Sequence, residues 1–149
     1  MSSSHPLSEL PAWEVGTVAV LSTGGGPPHA IPVSTSVRAG PAAVLLALAL
    51  RRESLTRLRA EPAVALTVMA AGVACTALGR ATVVREPMAV ADNVAAVLIE
   101  VDEIQDHRQP RFAMDAGVRW RWTDADAQER DAEIRAELQA LAAELRGDR

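Results

Sequence analysis

The sequence has no lysine and no tyrosine, and all fifteen of its basic residues are arginine. Without lysine there is no side-chain amine to form a Schiff base with a carbonyl, so that route of covalent catalysis is excluded. Aromatics are few: Trp13, Phe112, Trp120 and Trp122. Sheets that stack nucleic-acid bases need aromatics on their strands, and the apolar runs between residues 17 and 70 carry none. The single cysteine, Cys75, has no partner for an internal disulfide. Its place in the apolar run Val73-Ala74-Cys75-Thr76-Ala77 predicts a buried, inert thiol. No Cys/His cluster has the spacing of a zinc site, so no metal is expected. Gly24-Gly25-Gly26 lacks the lysine and the following helix of a phosphate-binding P-loop. The longest clear apolar run, 42–50, falls far short of the ~20 residues that span a membrane. The N-terminus, Met1 to Pro6, has neither the basic nor the apolar region of a secretory signal. These absences predict a soluble, cytoplasmic protein without a membrane partner.

What is present is a chain of 149 residues, 49% hydrophobic, long enough for one domain over 1–149 with its own core. The formal charge is −4. From Asp124 onward eight acids face four arginines, and the rest has eleven of each. The acidity therefore belongs to the tail, and a neutral body is a poor partner for nucleic acid.

Residues 1–6 read as a loose arm and 6–10 as a short helical turn ended by Pro11. Trp13 is expected to lie as a lid on the core. Residues 17–70 then organise the chain. Three apolar runs, 17–22, 29–37 and 43–49, are divided by Gly24-Gly25-Gly26-Pro27-Pro28 and by Arg38-Ala39-Gly40-Pro41. Glycine admits positive φ and proline fixes φ and removes a donor, so both segments are turns. Pro32 inside the second run marks an edge, a bulge or a rim. The third run is apolar throughout, as a strand buried on both faces should be. Residues 54–60 predict a short helix, with Ser54 as its N-cap, Leu55 and Leu58 on one face and Pro62 at its exit. Three more strands follow at 64–68, 73–84 and 95–104. Gly79 within the fifth marks a bulge or a corner. The second half of the sixth alternates apolar with acidic residues, which predicts one exposed face.

Residues 118–122 alternate again and would project Trp120 and Trp122 to one face. A last helix, about 124–146, is capped by Thr123 or Asp124 and carries an apolar stripe of Ile134, Leu138, Leu141 and Leu145. It reads as a lid or a dimer element. Asp126–Arg130 and Asp131–Arg135 are i, i+4 pairs on it. Many strands and few helices predict a small antiparallel barrel over about 15–123, followed by the helix.

The run Ser22-Thr23, a glycine turn, Pro28-His29-Ala30-Ile31-Pro32-Val33, an apolar strand, then Ser54-Leu55-Thr56-Arg57-Leu58-Arg59-Ala60-Glu61-Pro62 resembles the pyridoxamine 5′-phosphate oxidase-like proteins. Gly79-Arg80-Ala81 fits as well, and the likeness covers roughly residues 10–105. It implies a mainly β fold: a six-stranded antiparallel split β-barrel, with a short helix after the third strand and a C-terminal α-helix. It also implies a homodimer with FMN, a deazaflavin or sometimes haem at the interface. Many members move a hydride between a flavin and a small organic substrate. FMN-dependent members grip the phosphate with a basic residue on the second strand. Here residues 30–36 are uncharged, so the basic supply is Arg51, Arg52 and Arg57, with the amides at the helix start near Ser54. Ser34, Thr35 and Ser36 would line the ring; Trp120 and Trp122 read as a structural lid, with stacking of Trp120 on the ring as the alternative. The expected function is thus a flavin- or deazaflavin-dependent oxidoreductase, its catalytic residues unassigned. The alternative is a non-catalytic haem or ligand binder, for which His29, His107 or Met114 would matter. Asp102, Glu103 and Asp106 are candidate paired carboxylates, set against a solvated strand edge.

Overall fold

The computed structural model describes residues 5–147. Eight strands and two helices follow one another as β1 (His5–Pro6), β2 (Ala19–Thr23), β3 (His29–Val33), β4 (Val37–Gly40), β5 (Ala43–Ala49), α1 (Glu53–Ala60), β6 (Ala63–Ala70), β7 (Val73–Arg85), β8 (Val94–Asp106) and α2 (Ala125–Arg146). All strand pairs are antiparallel, in the order β3-β2-β6-β7-β8-β5-β4, and β1 adds to the far end of β8. The main path has seven strands where six were expected, and it does not close on itself.

The extra strand comes from the expected second strand, 29–37. It is two strands, β3 and β4, which lie at opposite ends of the path. The sequence Pro32-Val33-Ser34-Thr35-Ser36 explains the break. Pro32 has no amide to donate. Beyond it the Thr35 hydroxyl replaces a ladder bond, accepting from the Ala47 amide at 3.0 Å and donating to the Ala47 carbonyl at 3.4 Å. The chain itself, rather than a ladder, joins the two edges.

Other local expectations also shift. The helical turn at 6–10 is absent: Pro6 pairs with Gln105, and the Leu7 amide donates to the Ile104 carbonyl at 2.8 Å. Of the loose arm, residues 1–4 lie outside the described residues. Helix α1 begins one residue before Ser54. Arg52 is its N-cap, without a side-chain capping bond, and Ser54 lies inside the helix, buried. Residues 118–122 form no strand; a single bridge pairs Thr17 with Arg119. Gly79 does sit at a register shift between β7 and β8, and a Cβ there would overlap the Glu100 carbonyl. Asp124 caps α2 by accepting from the Asp126 amide. Arg130 bonds Asn93 rather than the acid four residues before it.

Two cores result. The inner one lies within the curve of the sheet and includes Leu21, Val44, Leu46, Leu66, Val97 and Ile99, with Leu55 and Leu58 of α1. The second lies outside the sheet. There Ile134, Leu138 and Leu141 of α2 pack on Ala39, Leu45, Met88 and Ala96. Burying such a side chain stabilises by about 1.5–3 kcal/mol. The stripe on α2 is therefore hidden within the chain, apart from Leu145, which is 49% exposed. Glu137 anchors the same face of α2: it accepts from the Ala89 amide at 3.0 Å, the Val90 amide at 2.9 Å and the Arg85 guanidinium at 3.1 Å. No helix among the described residues is long and apolar enough to cross a membrane.

Candidate functional site

The seam between β3 and β4 borders a cleft of about 240 Å³. Ser34 and Thr35 form one wall, Ala47–Ala49 at the end of β5 the base, and Arg52 the start of α1. Trp120 and Trp122, Asp131 and Ile134 of α2 and Val94 of β8 line the cleft as well. Four of the eight residues expected to hold a cofactor thus meet here: Ser34, Thr35, Arg52 and Trp120. Ser34 is buried, while Trp120 and Trp122 are 41% and 42% exposed. Arg52 lines the cleft, its side chain without a hydrogen-bond or ion-pair partner among the described residues.

The other four lie elsewhere. Arg51 is exposed beyond the cleft. Ser36 is buried beside it, its hydroxyl unpartnered and its carbonyl accepting from the Trp13 indole at 3.1 Å. Trp13 is accordingly packed on the inner core. Ser54 is buried in α1, its hydroxyl also unpartnered. Arg57 is engaged: its Nε donates to Glu53 at 2.6 Å, and its Nη1 to the carbonyls of Gly24 and Pro27 at 3.2 and 2.6 Å. It fastens the glycine turn to α1, and its bond holds the Glu53 carboxyl below the usual carboxylate range. Binding a phosphate there would compete with those contacts.

The walls supplied by α2 and Val94 were not anticipated. Asp131 was expected only to pair with Arg135 at i, i+4; the pair exists at 2.7 Å, and the Asp131 side chain is 11% exposed and its residue borders the cleft. The one sequence signal was its place, one turn before Ile134 of the apolar stripe.

The candidates for haem ligation do not line this cleft. His29 stands at the start of β3 with Nε2 buried and unpartnered. His107, half-buried rather than exposed, has Nε2 at 2.8 Å from the Thr76 hydroxyl, which lies 3.0 Å from that of Thr67. Met114 borders a different cavity. Among the candidate carboxylates, Asp102 and Glu103 are exposed and Asp106 is gripped by Arg108 at 2.9 Å. Among the described residues no three His, Cys, Asp or Glu converge as a metal site. Cys75 is 1% exposed; burial, and then the charge of Asp106, pushes its thiol up to about 11. It is inert at neutral pH.

No protein-family model matches the chain, and no curated protein sequence does. Solved structures do match it. One, from Lactobacillus delbrueckii, is provisionally assigned as a pyridoxamine 5′-phosphate oxidase; it superposes with a TM-score of 0.55 at 18% identity, over 66% of this chain and 94% of that one. The fold is that of the pyridoxamine 5′-phosphate oxidase-like proteins. An F420 reductase shares it, with a TM-score of 0.52 at 13% identity, over 60% of this chain and 89% of the other. So does a haem-binding protein from Mycobacterium smegmatis, at 0.53 and 15%, where 65% of this chain spans about half (51%) of that one. At these identities the likeness is one of fold, and a fold hosts several functions. The oxidase-like fold therefore frames the cleft without saying what fills it.

Proposed function

We propose that the chain binds FMN or a deazaflavin in this cleft and moves a hydride to or from a small organic substrate. The observation that carries the reading is one convergence: the uncharged Ser34–Thr35 wall, the unpartnered Arg52 and the indole of Trp120. Those groups fit a flat, amphipathic ring with an anionic tail. Trp120 offers a face for stacking. Arg52 offers planar donors for phosphate. Ser34 and Thr35 lie between the β3 and β4 ladders, so their amides and carbonyls would be open to ring heteroatoms. The cofactor, when bound, supplies the hydride chemistry. This chain's residues orient the ring, hold the phosphate at Arg52 and the first-turn amides of α1, and exclude water through Ile134 and Val94.

A second copy of the chain is part of the proposal. The cleft, at about 240 Å³, is smaller than the ~300–1,000 Å³ usual for small-molecule sites. Its tryptophan wall is nearly half exposed. A homodimer would supply the missing wall and cover both indoles. The haem reading has less support, because its candidate ligands lie apart.

Visible spectra of the protein from its native host, followed by titration of the colourless protein with FMN and with a deazaflavin, test this. Flavin or deazaflavin absorbance is expected, and Arg52→Ala should weaken binding about ten-fold, the scale of a charge-assisted hydrogen bond. Light scattering should give a dimer, and Trp120→Ala with Trp122→Ala should shift it toward monomer. A Soret band, or no binding of either flavin, overturns the reading.

A further inference from the structure

We infer a second binding site, for a small amphiphilic carboxylic acid, in the cavity at the far end of β8. The inference is independent of the cofactor reading. The cavity measures about 510 Å³ and shares no lining residue with the cleft. Val94 borders the cleft and Asp106 borders the cavity, so the two sites stand at opposite ends of one strand.

The cavity forms because residues 107–114 fold back over the β6–β7 turn. The His107 amide donates to the Ala74 carbonyl at 2.7 Å, and the Gly72 amide to the Met114 carbonyl at 2.9 Å. Within this loop Arg108 is held rigidly. Its Nε donates to both Asp106 oxygens, at 3.0 and 3.3 Å, its Nη2 to Asp106 at 2.9 Å and its Nη1 to the Gly72 carbonyl at 3.1 Å. A guanidinium has five N–H groups. Three are engaged, which leaves one on each terminal nitrogen. The side chain is 50% exposed and lines the cavity. Fixed, coplanar donors select a planar two-oxygen acceptor, which is a carboxylate.

The rest of the lining selects the body of the ligand. Phe112 is 46% exposed, and with Pro110, Ala113 and Met114 it offers apolar surface. An aromatic and a thioether left open beside an ordered cation suit an apolar chain or ring. Asp106 already balances Arg108, so a polyanion such as a nucleotide gains little here. A single carboxylate head on an apolar body uses the two remaining Arg108 donors and the apolar surface.

Amide-resolved NMR of the full chain tests the site, with octanoate as probe and octanamide as its uncharged counterpart. Octanoate should shift the Gly72, Arg108 and Met114 amides and saturate around 1 mM, the affinity such a small ligand can reach. Octanamide should bind about ten-fold more weakly, because it cannot take both donors. Phe112→Ala, at an exposed side chain, should keep the fold and weaken octanoate about ten-fold. Arg108→Lys should also weaken it while keeping the charge. Equal binding of the two probes, shifts confined to Thr35 and Trp120, no change in Phe112→Ala, or no saturable shift by about 10 mM would each overturn the assignment.

Discussion

β8 passes through two environments. From Val94 to Ile99 it pairs with β5 on one side, and from Ala96 onward with β7 on the other. Both of its faces are covered there: Ala95, Val97 and Ile99 point into the inner core, and Val94, Ala96 and Leu98 meet the second core under α2. From Glu100 onward Glu100, Asp102 and Glu103 are exposed, while Ile104 stays buried and Val101 half-buried. One strand is thus two-sided at its start and one-sided at its end. The difference teaches that the second core, built by α2 together with Ala39, Leu45, Met88 and Ala91, matches the extent of the two-sided apolar run. The cleft at the covered end is lined mostly by apolar groups and hydroxyls, with Arg52 and Asp131 among them. The cavity at the other end rests on an ion pair.

The comparison can be broken by a charge. Ala96→Asp places a carboxylate on the fully covered face, where Ala96 is 0% exposed and the cross-strand Arg85 is already paired with Glu137. A loss of about 3–5 kcal/mol is expected, enough to abolish cooperative unfolding in urea. Asp102→Ala, on the exposed half, should stay within about 0.5 kcal/mol. Equal effects would mean that α2 does not cover the strand.

Leu138→Ala tests the cover itself. Leu138 is 0% exposed, so its truncation should cost about 2–5 kcal/mol in the urea midpoint, whereas Leu145→Ala should be nearly silent. The smallest expected effect sharpens the picture through pH. Burial pushes the Glu137 carboxyl up, but the Ala89 and Val90 amides and the Arg85 guanidinium outweigh it and leave the group below its ordinary 4.5. A folded value below the unfolded one stabilises at pH above about 4.5, and that contribution is lost as pH falls through the folded value. Glu137→Gln turns a donor toward donors and should cost about 1–3 kcal/mol near neutrality. The gap between the two proteins should narrow as the pH drops below 4.5. A gap that is constant with pH would remove Glu137 from the linkage.

Most strand periods, the Gly24–Pro28 turn, the short helix before Pro62, the bulge at Gly79 and the capped last helix were legible, because each is set by neighbours within a few residues. So was the uncharged Ser34-Thr35-Ser36 segment. Residues 29–37, however, are two strands, 118–122 none, and the turn read at 38–41 falls largely within β4. Local pattern did not reveal that the Ser34-Thr35-Ser36 segment is a seam, because its meaning depends on Thr35 reaching Ala47 twelve residues away. Ser54 read as a cap, yet the helix starts earlier and buries it. The stripe on α2 was visible as apolar, but whether it met another chain or this one depended on an open sheet face that no local window contains. The same holds for Arg52 and Arg57, alike in sequence. Only the tertiary structure leaves the first free beside Trp120 and commits the second to the glycine turn. Periodicity and turn chemistry act over a few residues and belong to the sequence. Which apolar face is covered, and which cation stays unpaired, depend on contacts between residues far apart in the chain, and those exist only once it has folded.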